Sequence, residues 1–223
     1  MCSQWVGSTD NYTTSSTITV GDLIKSARYD LQDHGGQKWD DDQMVDYVNR
    51  VIQLLDRLLI SQDSDFTMTH GTTTLGSGDN TVTQPTRSVS IVGLYRGTIL
   101  IPKSPLINIM HLYQTNDKNS STGPPNYWSH NGTNFYFDIE ADDDYALDAY
   151  YHVKSAKLTI LSYMPYDDYF NEYIREALVV MATKAKEDKK INVDILFLTM
   201  FKQAVNSMVV GRNFVKKYHN LGF

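Results

Sequence analysis

Residues 41–60 read DDQMVDYVNRVIQLLDRLLI, and this stretch decides the fold class. Its apolar side chains recur three and four positions apart, as they do on one face of an α-helix. They are Met44, Val45, Val48, Val51, Ile52, Leu55, Leu58 and Leu59. The carboxylates of Asp40, Asp41 and Asp42 suit the positive end of a helix dipole. The stretch therefore predicts a long helix that must bury a wide apolar stripe.

Three more helices are predicted, one before this helix and two near the C-terminus. The first begins at Thr19, an N-cap with Asp22 three residues later, and ends at the glycine pair 35–36. The others span about 167–187 and about 193–217. Because the linkers between paired helices are short, we expect the four helices to form a bundle. Its predicted core residues are Leu23, Ile24, Val48, Ile52, Leu55, Ile174, Leu178, Phe201 and Val205.

The middle of the chain has the patterns of β-strands. β-Branched and aromatic residues predominate after Ser64, with turn residues between the runs. The segment 145–153 alternates as a half-buried antiparallel strand should. The strand candidates are 66–70, 72–75, 87–95, 98–101, 106–115, 133–139, 145–153 and 157–163. We therefore predict an α+β fold, a four-helix bundle with a β-barrel or β-sandwich inserted between the second and third helices.

The predicted domain organisation follows from this order of elements. Residues 1–18 are polar and rich in Ser and Thr, which is typical of an N-terminal arm. The helical bundle takes up 19–64 and 165–211, and the inserted β domain takes up 65–164. Residues 212–223 follow the last predicted helix as a C-terminal segment.

Charge is distributed unevenly along the chain. Residues 184–223 hold eight basic and three acidic residues (net +5), and the rest holds 12 basic and 23 acidic residues (net −11), which together give the formal charge of −6. Such a split indicates two surfaces with different partners, and a solvated helix face is the simpler alternative. The single cysteine and the lack of a signal-like N-terminus predict a cytoplasmic redox compartment. No apolar run approaches the about 20 residues of a membrane-spanning helix, so we expect no membrane partner.

The motifs of common catalytic and metal sites are incomplete in this sequence. The acidic run 138–144 fails as an EF-hand loop, because its sixth and twelfth positions hold Asp143 and Ala149 instead of Gly and Glu. The six histidines lack the spacing of metal ligands. We therefore expect no enzyme activity, no catalytic residue, no metal and no cofactor.

Aromatic residues are concentrated in and beside the predicted strands. The chain has fifteen tyrosines, and many of them lie between 127 and 173. Such enrichment fits a protein interface, a sugar-binding face or simple cross-strand pairing within a sheet.

Three segments of the chain carry short motifs in a fixed order. The first covers the first two helices, the second the aromatic strands, and the third the start of the third helix. The motifs are Leu31-Gln32-Asp33, Trp39-Asp40-Asp41, Tyr127-Trp128, Phe135-Tyr136-Phe137, the Tyr-x-Leu-x-x-x-Tyr pattern of 145–151, and 167–178. In this order they resemble the head-to-tail adaptor (connector) proteins of tailed phages.

The resemblance implies a structural protein of the virion neck or tail, assembled in the host cytoplasm. Adaptors of this family form a homo-oligomeric ring, expected to be dodecameric, beneath the portal protein. The ring extends the channel used in genome ejection, through which duplex DNA passes without specific binding. It also provides the platform for tail or nozzle proteins or for a further adaptor.

In the family, the C-terminal tail reaches the portal. The resemblance therefore implies that 212–223 is a docking tail. Its portal-docking candidates are Arg212, Asn213, Phe214, Val215, Lys216, Lys217, Tyr218, Leu221 and Phe223.

Two other functions stay open at this point. The aromatic β domain fits a carbohydrate-binding or receptor-binding tail module. The carboxylates of Asp142, Asp143 and Asp144 would fit a cell-wall hydrolase, although the sequence defines no geometry for them.

Overall fold

The computed structural model describes residues 6–7, 16–62, 65–117 and 122–186, together with the isolated helical positions 199, 202, 203 and 206. Along the chain, a 3₁₀ turn at Asp65–Thr67 separates the first two helices from the strands that follow them. The elements are β1 (Val6–Gly7), α1 (Val20–Asp30), α2 (Asp41–Ser61), β2 (Met68–Leu75), β3 (Thr81–Thr83), β4 (Ser88–Arg96), β5 (Ile99–Ile101), α3 (Leu106–Asp117), β6 (Trp128–His130), β7 (Asn134–Phe137), β8 (Tyr145–Val153) and α4 (Asp168–Lys186).

The described residues form two compact units. The strand unit consists of β1 and Met68–Lys154, and the helical unit consists of the described residues from 16 to Thr67 and from Ser155 onward. The chain enters the strand unit after α2 and returns to the helical unit before α4. The described residues therefore form a mixed α+β fold with four helices and two antiparallel sheets.

Local capping explains where the first two helices begin. At α1, the Thr19 hydroxyl accepts a hydrogen bond from the Asp22 backbone N–H (3.1 Å), and the Asp22 carboxylate accepts one from the Thr19 N–H (3.1 Å). This reciprocal pair is a capping box. At α2, the Asp40 carboxylate accepts a hydrogen bond from the Gln43 N–H (2.7 Å). Both helices thus have a partner for otherwise unpaired N–H groups of their first turn.

One apolar cluster holds the helical unit together. The stripe of α2 is at its centre, and Leu23 and Ile24 of α1 and Ile174 and Leu178 of α4 lie in the same cluster. Each fully buried side chain of this size stabilises the fold by about 1.5–3 kcal/mol. The apolar α2 side chains that are at most 2% exposed are Met44, Val48, Val51, Ile52, Leu55 and Leu59.

Seven of the nine residues predicted for the bundle core are therefore buried in one cluster. The other two, Phe201 and Val205, lie outside the described residues, as does most of the helix predicted at 193–217.

The strand unit is built around β8. This strand pairs antiparallel with β2, from Met68↔His152 to Leu75↔Tyr145, and with β4 on its other side. The strand order is β1-β2-β8-β4-β5 in the larger sheet and β3-β7-β6 in the smaller one. A closed barrel needs two neighbours for every strand. Both sheets are open, because β1 and β5 in the larger sheet and β3 and β6 in the smaller one each have one neighbour among the described strands. Of the predicted β-barrel or β-sandwich, the barrel is therefore wrong for this part of the chain.

The strand predicted at 106–115 is also wrong, because this segment lies in α3. The Pro105 carbonyl accepts hydrogen bonds from the N–H groups of Asn108 (2.9 Å) and Ile109 (3.2 Å) at the start of the helix. Ile107 is 73% exposed and Ile109 is 1% exposed, although residues two apart would share a face in a strand. A short apolar run carries too little periodicity to distinguish the two structures.

The strand predicted at 157–163 is wrong as well. This segment contains a turn, in which the Ser162 N–H donates to the Thr159 carbonyl (3.0 Å). Its strand-like pairing is limited to one isolated bridge between Tyr163 and Thr19. The segment belongs to the helical unit, where Leu158 and the following Met164 lie in the apolar cluster.

Candidate functional site

The residues predicted to dock on the portal lie outside the described residues. They are Arg212, Asn213, Phe214, Val215, Lys216, Lys217, Tyr218, Leu221 and Phe223. The surfaces that the structure does describe are therefore the starting point for a functional site. The most closely defined of them lies on the helical unit, around the segment that joins β8 to α4 along the chain.

We call residues 155–166 the strap, and two buried polar residues of α2 hold its first part and its last residue. The Asn49 side-chain oxygen accepts a hydrogen bond from the Leu158 N–H (2.8 Å), and its amide nitrogen donates to the Leu158 carbonyl (3.0 Å). The Asp56 carboxylate, whose residue is 2% exposed, accepts hydrogen bonds from the Ser155 N–H (2.9 Å) and hydroxyl (2.8 Å) and from the Tyr166 hydroxyl. Asn49 and Asp56 are seven positions apart, so they lie on one face of the helix.

The second part of the strap is bonded to the start of α1. The N–H groups of Val20 and Gly21 donate to the carbonyls of Ser162 and Ile160, both at 2.9 Å. A Cβ atom on Gly21 would lie 3.2 Å from the Ile160 carbonyl oxygen, so the missing side chain permits this close approach. The strap thus completes the hydrogen bonding of the first turn of α1.

A groove of about 410 Å³ lies between the first part of the strap and α2. Its apolar lining comes from Ile52, which is 2% exposed, and from Ala156. Its polar and charged lining consists of Asp46, Asn49, Arg50, Gln53, Ser155 and Lys157. This composition, with apolar contacts surrounded by polar groups, is typical of interaction surfaces.

The acidic run of the strand unit is used for turn hydrogen bonds. The Asp144 carboxylate accepts a hydrogen bond from the Ser77 N–H (2.9 Å), and the Asp143 carboxylate accepts one from the Asp144 N–H (2.8 Å). The Tyr145 hydroxyl donates to the Asp142 carboxylate (2.5 Å), and this bond raises the pKa of Tyr145. Within 16–62, 65–117 and 122–186, no three His, Cys, Asp or Glu side chains form a group that could hold a metal ion.

Some of the aromatic residues form a surface on the larger sheet. The rings of His70 and Tyr150 are 4.9 Å apart, and those of Tyr150 and Tyr95 are 5.6 Å apart in an edge-to-face arrangement. Asp148 lies beside them, 3.3 Å from the His70 ring nitrogen. Tyr150 is 41% exposed, so part of the surface is open to solvent.

Sequence reasoning missed the roles of Asn49 and Asp56. Both follow a residue of the apolar stripe, and both are buried although they are polar. Buried polar groups need hydrogen-bond partners. The spacing of Asn49 and Asp56 by two helical turns therefore indicates a polar segment packed along α2. The partner segment could not be identified from local patterns, because it lies about one hundred residues away in the chain.

The described part of the chain contains no helix that is both long enough and apolar enough to cross a lipid bilayer. A search of curated proteins finds no significant match to the chain. The family model of the SU10 adaptor protein matches residues 18–217, which is nearly the whole chain. This match confirms the resemblance to phage adaptors. The chain therefore belongs to the SU10 adaptor protein family, a family of structural adaptors of phage particles.

Proposed function

We propose that this protein is a head-to-tail adaptor that forms a ring on the portal, extends the DNA channel and carries the tail or nozzle proteins. The observation that supports this most directly is the family match over 18–217. The role needs no catalytic chemistry, so we propose that the protein is not an enzyme. It would be assembled in the host cytoplasm and would remain in the neck of the virion.

In the proposed ring, each part of the chain has a separate structural role. We propose that a fourth helix at 193–217 completes a bundle with α1, α2 and α4, and that bundles pack side by side. In the proposed organisation, 1–18 is an arm, 19–67 and 155–211 form the bundle, 68–154 form the inserted domain, and 212–223 dock on the portal. A segment that alternates basic and apolar residues gains stability when it becomes ordered on a partner.

The charge of the chain supports passage of DNA without specific binding. Residues 1–183 carry a net charge of −11. Because contacts to phosphate dominate the affinity of proteins for DNA, an acidic lumen would let duplex DNA slide. The basic residues near the C-terminus would then face the portal.

The test is to image the purified chain by electron microscopy, with and without the portal protein of the same phage. We expect a ring, or a monomer that becomes a ring on the portal. Reversing the charges of Arg212, Lys216 and Lys217 to Glu should abolish portal binding, whereas Lys38→Glu on the exposed surface of the helical unit should not. A chain that stays monomeric with the portal would refute the proposed function.

A second candidate function is a carbohydrate-binding or receptor-binding tail module. The surface of His70, Tyr95 and Tyr150 supports it, because partly exposed aromatic rings beside a carboxylate can stack on a sugar and bond its hydroxyls. Binding of the full chain to a glycan array, lost in Tyr150→Ala and kept in Tyr127→Ala, would favour this function. If the chain bound no glycan on the array, the adaptor role would remain as the proposed function.

A further inference from the structure

The strap exposes a group of large apolar side chains on the helical unit. Leu161 is 83% exposed, Tyr163 is 59% exposed and Ile160 is 36% exposed. We call these three residues the knob. A single exposed apolar residue needs no explanation, but three within four positions form a local apolar patch. The residues from 158 to 163, LTILSY, include no charged side chain.

The knob is held rigidly by hydrogen bonds on both of its sides. The Thr159 N–H donates to the Ser162 hydroxyl (3.0 Å), which closes the turn on itself. The carbonyls of Ile160 and Ser162 accept from the start of α1, and the Met164 N–H donates to the Ile18 carbonyl (3.0 Å). A preorganised segment loses little conformational entropy when it binds, so these bonds favour tight binding through a small surface.

The groove on the same unit can receive an apolar side chain. Its volume of about 410 Å³ is large enough for several side-chain groups, and Ile52 and Ala156 provide apolar contacts. The chain does not fill this groove with its own knob, since Leu161 is 83% exposed. The helical unit thus presents both a protruding apolar group and a concave surface in which two apolar residues lie among polar and charged ones.

The charges beside the knob and around the groove are complementary. Asp22 lies beside the knob, because it bonds Thr19, which forms the bridge with Tyr163. Hydrogen bonds from the Thr19 side chain and backbone lower the pKa of Asp22, so its carboxylate stays charged. The groove presents the cations of Arg50 and Lys157. Opposite charges on two surfaces favour their association and fix its orientation.

Lys25 of one copy and Asp46 of another can also pair when a knob lies at a groove. Lys25 is close enough to Asp22 to lower its pKa, and Asp46 lies at the groove. Two different surfaces that complement each other on one protein form a heterologous contact, and repeated heterologous contacts give a ring when the rotation between neighbours closes. These complementary features favour a second copy of this chain as the occupant of the groove.

We propose that the knob of one subunit packs into the groove of its neighbour, with Leu161 against Ile52 and Ala156. This inference rests on the proposed function, because it names the contact that would join the subunits of the adaptor ring. Leucine and tyrosine side chains in a desolvated pocket would then be surrounded by ion pairs that exclude water. Such an arrangement concentrates binding energy in a few central residues.

The test is disulfide cross-linking between subunits in a Cys2→Ser background, which removes the natural cysteine. Single-cysteine proteins Leu161→Cys and Ala156→Cys are mixed, assembled with the portal where the ring requires it, and mildly oxidised. We expect linked dimers in this mixture. We expect none when either protein is oxidised alone, or when Leu161→Cys is mixed with the exposed control His34→Cys.

A second variant, Leu161→Asp, measures the contribution of the knob to assembly. We expect subunit association to weaken by about 30-fold or more, as for an interface hot spot. Because Leu161 is exposed, the variant should keep its circular dichroism spectrum and melting temperature.

The possible outcomes separate the two proposals. A ring without cross-links between positions 161 and 156 would overturn the knob-in-groove contact and leave the adaptor function intact. Dimers of Leu161→Cys alone would also overturn it, since they require two knobs to face each other. A wild-type chain that forms no ring with the portal would overturn both proposals.

Discussion

Replacing Asp56 by Asn tests how the strap is held on the helical unit. The two carboxylate oxygens share three donors, since Oδ2 accepts from the Ser155 N–H and Oδ1 accepts from the hydroxyls of Ser155 and Tyr166. Asn has the same shape but only one acceptor oxygen. With that oxygen in the Oδ1 position, the amide NH₂ would face the Ser155 N–H, and two donors would meet in a buried site.

The expected loss of stability follows from these three bonds. A hydrogen bond to a charged group contributes about 1.5–3 kcal/mol, and a buried donor without an acceptor costs about 1–3 kcal/mol. The variant loses one such bond, leaves one donor unpaired and turns the other two bonds into neutral ones. We therefore expect Asp56→Asn to lower the free energy of unfolding of the helical unit by about 3–4 kcal/mol, a large part of the about 5–15 kcal/mol of a typical domain.

Hydrogen exchange with mass spectrometry is the suitable measurement, because it reports on α2 separately from the strand unit. Amide hydrogens in peptides from α2 should exchange faster in the variant, by about tenfold for every 1.4 kcal/mol of the expected loss in unfolding free energy. The matched control is Asp46→Asn, which makes the same chemical change at an exposed position of the same helix and should stay within about 0.5 kcal/mol of the wild type. Equal exchange rates for the two variants would refute the role assigned to Asp56.

Two further predictions concern the turn between α1 and α2. Gly36 has φ of 62°, and an added Cβ would lie 1.9 Å from a guanidinium nitrogen of Arg28. In urea titrations, Gly36→Ala should therefore lower the free energy of unfolding by about 1–2 kcal/mol. Gly35→Ala, where no positive φ or clash occurs, should be nearly neutral, and equal losses would contradict the explanation. Burial raises the pKa of Asp33, but three backbone N–H donors outweigh it and the pKa is lowered overall. The stabilisation by Asp33 should thus be complete above about pH 4, and it should be lost as the pH falls through the lower pKa of the folded state. The variant Asp33→Asn should therefore show a smaller decrease of stability in acid than the wild type. An unchanged acid dependence would count against this assignment.

Most helices and the central strand were predictable from local sequence. The helix predicted at 41–60 is α2, Asp41–Ser61, and the one predicted at about 167–187 is α4, Asp168–Lys186. The alternating segment 145–153 is β8 with the same bounds. These elements carry their own periodicity over two or more turns or over nine residues, and α1 and α2 also have capping residues close in sequence.

The errors lie where the pattern is short or the partner is distant. The run 106–115, LINIMHLYQT, is short and fits neither the two-residue period of a strand nor a clear helical stripe, so packing decides that it is helical. The barrel was predicted from the number of short strands, but closure depends on whether the end strands find second neighbours. In the described part of the strand unit, β1 and β5 do not.

The sequence by itself determined the helices α1, α2 and α4, the strand β8 and the resemblance to phage adaptors, because each rests on residues that are close together in the chain. Tertiary structure decided which polar residues hold the strap and which apolar ones remain exposed. Asp56 meets Ser155 across 99 positions, and Asn49 meets Leu158 across 109. The composition of LTILSY would fit a buried strand equally well, and only the hydrogen bonds of its turn to α1 leave Leu161 facing solvent.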